Sequence, residues 1–114
     1  MAGREPTITA VEDLRLSHRA ARFQGGDQAD VSFFITTYAN GEGPDQHLHP
    51  YAEVFVVETG TATFEVDGSL YEVEAGNIVV VPPETPHGFK NRGEDTLHVL
   101  GIHPSPIVIQ TDLE

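Results

Sequence analysis

Three histidines and one glutamate, His47, His49, Glu53 and His87, have the residue types and the spacing to hold a divalent metal ion. Imidazole and carboxylate suit Mn, Fe, Co, Ni, Zn and Cu, so the donor set points to a transition metal without naming it. Three neutral imidazoles and one carboxylate leave roughly one positive charge on such an ion, and octahedral geometry leaves about two positions open. Open positions suit a chelating substrate, alone or together with dioxygen. With Fe or Ni the chemistry expected is oxygenation of an enol or catechol-like molecule. With Zn, Mn or Ni it is polarisation of a carbonyl, leading to isomerisation, cyclisation or lyase chemistry.

Such a set must be carried by strands. On a helix His49 would point about 200° away from His47, and one ion could not touch both. On a strand, residues two apart share a face, so His47, His49 and Glu53 project the same way. Pro44 and Pro50 also bar a continuous helix there. His87 lies 38 residues beyond His49 and must return beside it across a curved sheet or barrel.

The rest of the chain reads as strands and turns. Residues 31–38 are rich in β-branched and aromatic side chains and end in the turn chemistry of Asn40, Gly41, Gly43 and Pro44. Residues 53–57 form a strand, and 61–66 alternate clearly. Asp67-Gly68 is a hairpin signal ahead of a strand over 70–73. Residues 77–81 are a nearly continuous apolar run, stopped by Pro82-Pro83, that predicts a strand buried on both faces. Strands are also expected over 96–103 and 107–110, and less clearly over 7–11. Many short strands with regular turns give an all-β fold, a sandwich or barrel. The division expected is an N-terminal arm or strand, residues 1–24, packing on a barrel of residues 25–114, the whole forming one domain.

At 114 residues the chain is long enough to bury about two-thirds of its unfolded surface around one core. It has no cysteine, which removes thiol nucleophiles, zinc-thiolate sites and disulfides together. The first 25 residues lack a continuous apolar segment, and no run of about 20 apolar residues occurs, so a soluble, cytoplasmic protein is expected. The formal net charge is −12, and positions 23–89 hold 11 acids but no Lys or Arg. Such a surface repels phosphate backbones and anionic lipids, which argues against nucleic-acid and membrane partners. Multiply anionic substrates usually need Arg or Lys, so a neutral or singly charged small molecule fits better.

Gly41, five residues, His47-Leu48-His49, three residues, Glu53, six residues and Gly60 match the first cupin motif at every fixed position. After fifteen residues come Gly76, five residues, Pro82, then His87 and Asn91, which resemble the second motif. Glu84 stands where that motif has glycine. The chain thus resembles the small single-domain, metal-binding cupins. The resemblance implies a jelly-roll barrel of the double-stranded β-helix type, a homodimer, and His47, His49, Glu53 and His87 as ligands at the barrel mouth. It supports oxygenases and redox-neutral isomerases, cyclases or lyases alike, and also non-enzymatic binding or sensor modules.

Other residues have bland and functional readings. At Glu84 the expectation is a turn of ordinary dihedrals with an exposed side chain; the functional alternative is a base at the site's mouth. His98 and His103 fall on opposite faces of one strand, so a regular strand sends one inward. His98 is the candidate proton shuttle, whereas His18 and His103 read as ordinary surface or hydrogen-bonded core residues. Asn91 is expected to tie down the strand after His87. Phe55 and Phe89 share parity with ligands on their own strands and are candidates to wall the pocket.

Overall fold

In the computed structural model, which describes residues 4–113, ten strands form two five-stranded antiparallel sheets. In chain order they are β1 (Ala20–Gln24), β2 (Ser32–Tyr38), β3 (His47–Leu48), β4 (Glu53–Thr59), β5 (Thr61–Val66), β6 (Ser69–Glu74), β7 (Ile78–Val81), β8 (His87–Asn91), β9 (Leu97–His103) and β10 (Thr111–Asp112). One sheet has the order β1-β2-β9-β4-β7, the other β10-β3-β8-β5-β6. This is the expected all-β jelly roll, with the core between the sheets.

Alternation built most of these strands. On β4 the inward residues are Glu53, Phe55 and Val57; on β9 they are Leu97, Val99, Gly101 and His103. With Ala62, Phe64, Val81 and Phe89 the apolar members form one cluster. The rings of Phe55, Phe64 and Phe89 pack at 4.8–5.7 Å between centroids, and each buried side chain of this kind contributes about 1.5–3 kcal/mol. Asp67 and Gly68 both adopt positive φ, 50° and 85°, and close the β5–β6 hairpin as the sequence predicts.

Three expectations fail, for identifiable reasons. Residues 7–11 form no strand; a 3-10 turn spans Val11–Leu14 instead. β7 is an edge strand, not one covered on both sides: it pairs with β4 alone, and Ile78 and Val80 are well over half exposed. A continuous apolar run carries no information about which face is covered, so the burial of β7 could not be read from it. Residues 107–110 are not a strand either, and the short β10 follows them. Their backbone groups turn to side chains instead: Val108 N–H donates to Gln24, and both polar groups of Ile109 serve residues of the site described next.

Candidate metal centre

The four candidate ligands converge from both sheets. His47 lies on β3 and His87 opposite it on β8, His49 follows β3 directly, and Glu53 opens β4 in the facing sheet. The chain therefore crosses between sheets after His49, and no single strand carries the first three ligands. All four are buried, and one ligand atom from each lies within 4.8 Å of the others.

Hydrogen bonds to the histidine rings decide which nitrogens face inward. Nδ1 of His47 donates to the Asp45 carbonyl at 2.7 Å, Nδ1 of His49 to Ile109 at 2.8 Å, and Nδ1 of His87 to Thr85 at 2.8 Å. A carbonyl can only accept, so each neutral ring carries its proton on Nδ1 and turns a lone pair inward on Nε2. Glu53 Oε1 stands 2.9 Å from His49 Nε2 and 3.1 Å from His87 Nε2, the second in hydrogen-bond geometry, so either a proton or a cation must lie between carboxylate and ring. His49 Nε2 has no aligned hydrogen-bond partner among the described residues. Buried acceptors facing acceptors are costly unless a cation lies among them. The donor set, its burial and its tautomers all fit a divalent ion, and backbone carbonyls behind the rings are the usual way of orienting such ligands.

Charge follows the same geometry. Burial would raise the Glu53 pKa, but imidazoles of His103, His49 and His87 outweigh it and hold the carboxyl well below the usual range. Burial drives the His47 pKa down and favours the neutral ring. At His49 burial pulls the same way, yet contacts with Glu53 and the Ile109 carbonyl leave the pKa raised. Room for the carboxylate comes from Gly101, where a Cβ would lie 2.7 Å from Glu53 Oε2.

Beside the ligands is a cavity of about 190 Å³, lined among others by His47, Glu53, Phe34, Phe55, Phe89 and His103. Among the described residues no lysine or arginine lines it. Phe55 and Phe89 do reach it. His98 does not: it sits on the outer side of β9, where its Nδ1 lies 3.1 Å from Thr37 Oγ1. The inward histidine of that strand is His103, which is 1% exposed. Parity could say that one of the two faces inward but not which. Glu84 is exposed and lies outside the cavity lining. Its φ is +58°, so the turn keeps the left-handed conformation and the expectation of ordinary dihedrals is wrong. Asn91 ties strands together as expected, donating to the carbonyls of Tyr38 and Asp95 and accepting from Gly93 N–H.

Tyr51 was missed altogether. It stacks on His49, with ring planes 3° apart, and its hydroxyl lies 2.7 Å from His103 Nδ1. The signal was present: Tyr51 shares odd parity with His47, His49 and Glu53.

A family model described as a cupin domain matches residues 34–103. The chain belongs to the cupin family. Among curated relatives, this cupin is 30% identical over 79 residues to polyketide synthase CurC of Streptomyces cyaneus, covering 65% of this chain and 51% of the relative. It is 30% identical over 74 residues to protein SchB of Streptomyces halstedii, covering 64% and 53%. It thus spans about half the length of these relatives. An oxalate decarboxylase from Bacillus subtilis with Mn(II) centres superposes with a TM-score of 0.75 at 21% identity, over 85% of this chain and 29% of that one. An oxalate oxidase bound to the substrate analogue glycolate gives 0.66 at 25% identity, over 74% and 46%. An uncharacterised double-stranded β-helix protein from Klebsiella pneumoniae matches nearly end to end, with a TM-score of 0.75, 20% identity and 95% and 92% coverage.

Proposed function

We propose that this cupin is a metal-dependent enzyme, of the non-haem oxygenase type, acting on a small chelating organic molecule of neutral or single negative charge. The observation that carries the reading is the convergence of three Nε2 lone pairs and a carboxylate oxygen in a buried cluster. An ion held there would supply Lewis acidity and, if redox-active, electron transfer to oxygen. The protein's part is positional. Backbone carbonyls hold the three rings, Gly101 makes room for Glu53, and Phe34, Phe55 and Phe89 present an apolar wall that limits water. The absence of Lys and Arg from the lining favours a substrate with no second anionic group.

A redox-neutral isomerase, cyclase or lyase is the second reading. It is supported by the polyketide synthase name of one relative, since carbonyl-rich chains are natural targets for Lewis-acid cyclisation. Mn(II) in the decarboxylase is compatible with both. Two experiments separate them: element analysis of protein purified anaerobically, and oxygen uptake in the presence of a chelating enol. Stoichiometric Fe with substrate-dependent oxygen consumption supports the oxygenase. Turnover that persists without oxygen overturns it in favour of the second reading, and metal-dependent binding without turnover leaves a sensor module.

A homodimer in the cytoplasm, with an arm over residues 1–24 packing on the barrel, belongs to the same proposal; residues 1–3 lie outside the described residues, and residues 20–24 join the sheet as β1. The exposed Ile78 and Val80 on edge strand β7 support the dimer. Among the described residues no helix is long and apolar enough to cross a membrane.

A further inference from the structure

His103 differs from the three ligand histidines in one respect that can be read from its partners. Ile109 N–H donates to the Tyr51 hydroxyl oxygen at 3.0 Å. The phenolic proton is then free to go to His103 Nδ1, 2.7 Å away and its one acceptor among the described residues. A ring that accepts at Nδ1 carries its proton on Nε2 when neutral. With the hydroxyl donating in this direction, His103 is the opposite tautomer to His47, His49 and His87 and presents a donor where they present lone pairs.

That donor is incompletely used. His103 Nε2 lies 3.0 Å from Glu53 Oε2, but the N–H is not aligned with the oxygen, and the atom has no properly directed partner among the described residues. The ring is 1% exposed and lines the cavity beside the ligand cluster. A buried N–H left partly unsatisfied is costly, so a bound molecule that completes its bonding gains affinity there.

We infer that His103, fixed by Tyr51 as the Nε2–H tautomer, is the substrate-anchoring donor of this site. It shares its N–H between Glu53 Oε2 and an oxygen of a small, singly charged chelating enolate. The inference rests on the metal reading above and extends it to the substrate. Ligands and ion together carry roughly one positive charge, which balances one enolate charge. The lining offers no Lys or Arg for a second. A neutral N–H donor suits the remaining oxygen lone pair, and the phenylalanine walls suit an apolar substituent.

The test uses acetylacetonate as the probe and Co(II)-loaded protein, with Co(II) affinity measured separately for every variant. His103→Leu is expected to weaken the probe about 10–100-fold, the range for a hydrogen bond to a charged group, beyond any change in Co(II) affinity. His103→Gln, which retains an N–H near the same place, should recover most of that loss. Tyr51→Phe guards against misfolding of the Leu variant and should weaken the probe less, because it frees the tautomer without removing the ring. Nitrogen NMR of the metal-free protein should show His103 protonated on Nε2. An Nδ1–H ring, or probe affinity that follows Co(II) affinity alone, overturns the inference. If the wild type binds no Co(II), the metal reading fails by itself. Probe titration of the metal-free protein then decides: a loss in His103→Leu sustains the anchor and no loss removes it.

Discussion

The two ends of the barrel interior are built from the same strands by the same alternation, yet one is largely apolar and the other chemical. Along β4 the inward series runs Glu53, Phe55, Val57; along β8 it runs His87, Phe89, Asn91; along β9 it runs backwards from His103 through Gly101 and Val99 to Leu97. One step of two residues separates a ligand from a core phenylalanine. The apolar half can shield every group from water, whereas the polar half places buried acceptors face to face and gains from a cation. Stability should therefore reside mainly at one end and binding at the other.

The strongest way to break that division is at the apolar end. Phe64 is fully buried and touches the rings of Phe55 and Phe89. Phe64→Ala is expected to lower stability by about 3–5 kcal/mol, measured by urea unfolding with a chelator present. Metal affinity of the folded fraction should scarcely move. If affinity falls as steeply as stability, the two ends are one cooperative unit and the contrast is wrong.

The converse change is His49→Ala. It removes a ligand whose Nδ1 is anchored and whose Nε2 has no other aligned partner. Metal affinity should drop by more than the roughly 10–100-fold typical of losing an outer partner of a ligand, by direct titration with Mn(II), Co(II) or Zn(II). Unfolding of the metal-free variant should shift far less than for Phe64→Ala. Unchanged affinity would remove His49 from the centre.

The contrast also explains what the sequence could show. Period-two alternation and hairpin chemistry are local, so β2, β4 and the β5–β6 hairpin were legible, and so was the cluster of His47, His49, Glu53 and His87. Facts that depend on a neighbour were not. β7 looked buried because its run is apolar, but the sheet ends there. Residues 107–110 looked like a strand, but their backbone answers Gln24, His49 and Tyr51. The choice between His98 and His103 depended on the register of β9 against β2 and β4, which no local pattern contains.

Acidity sharpens the division from the binding end. The folded pKa of His49 is raised, burial being outweighed by Glu53 and Ile109. Its contribution to metal-free stability is thus full below the unfolded value of about 6.5 and lost as pH rises through the folded value. Glu53 is depressed despite its burial, so its contribution is present above about 4.3 and lost as pH falls through the folded value. His49 and Glu53 together favour the metal-free protein most between about pH 4.3 and 6.5, while His47, held neutral by burial, opposes them below about 6.5. Metal binding needs the His49 proton removed, so affinity should fall about tenfold per pH unit below its folded pKa. Thermal unfolding with chelator and metal titration, each across pH, should run in opposite directions above about pH 6.5. Parallel curves would mean that the ligands and the protonated cluster do not compete.

The smallest effect lies just outside the site. Glu84 holds φ +58°, and its N–H donates to the His49 carbonyl at 2.7 Å. A left-handed conformation at a side chain other than glycine, asparagine or aspartate costs about 1–2 kcal/mol. Asp67 occupies the same region at φ 50° with a residue that tolerates it. Glu84→Gly removes the strain but loosens the unfolded chain by about 0.4–1 kcal/mol. The net expectation is a gain of about 0.5 kcal/mol in stability. Because the Glu84 side chain is exposed and outside the cavity lining, metal and probe affinity should stay unchanged. A loss of turnover in Glu84→Gly without loss of metal would instead make this carboxylate part of the chemistry, and would extend the polar end of the barrel beyond its buried ligands.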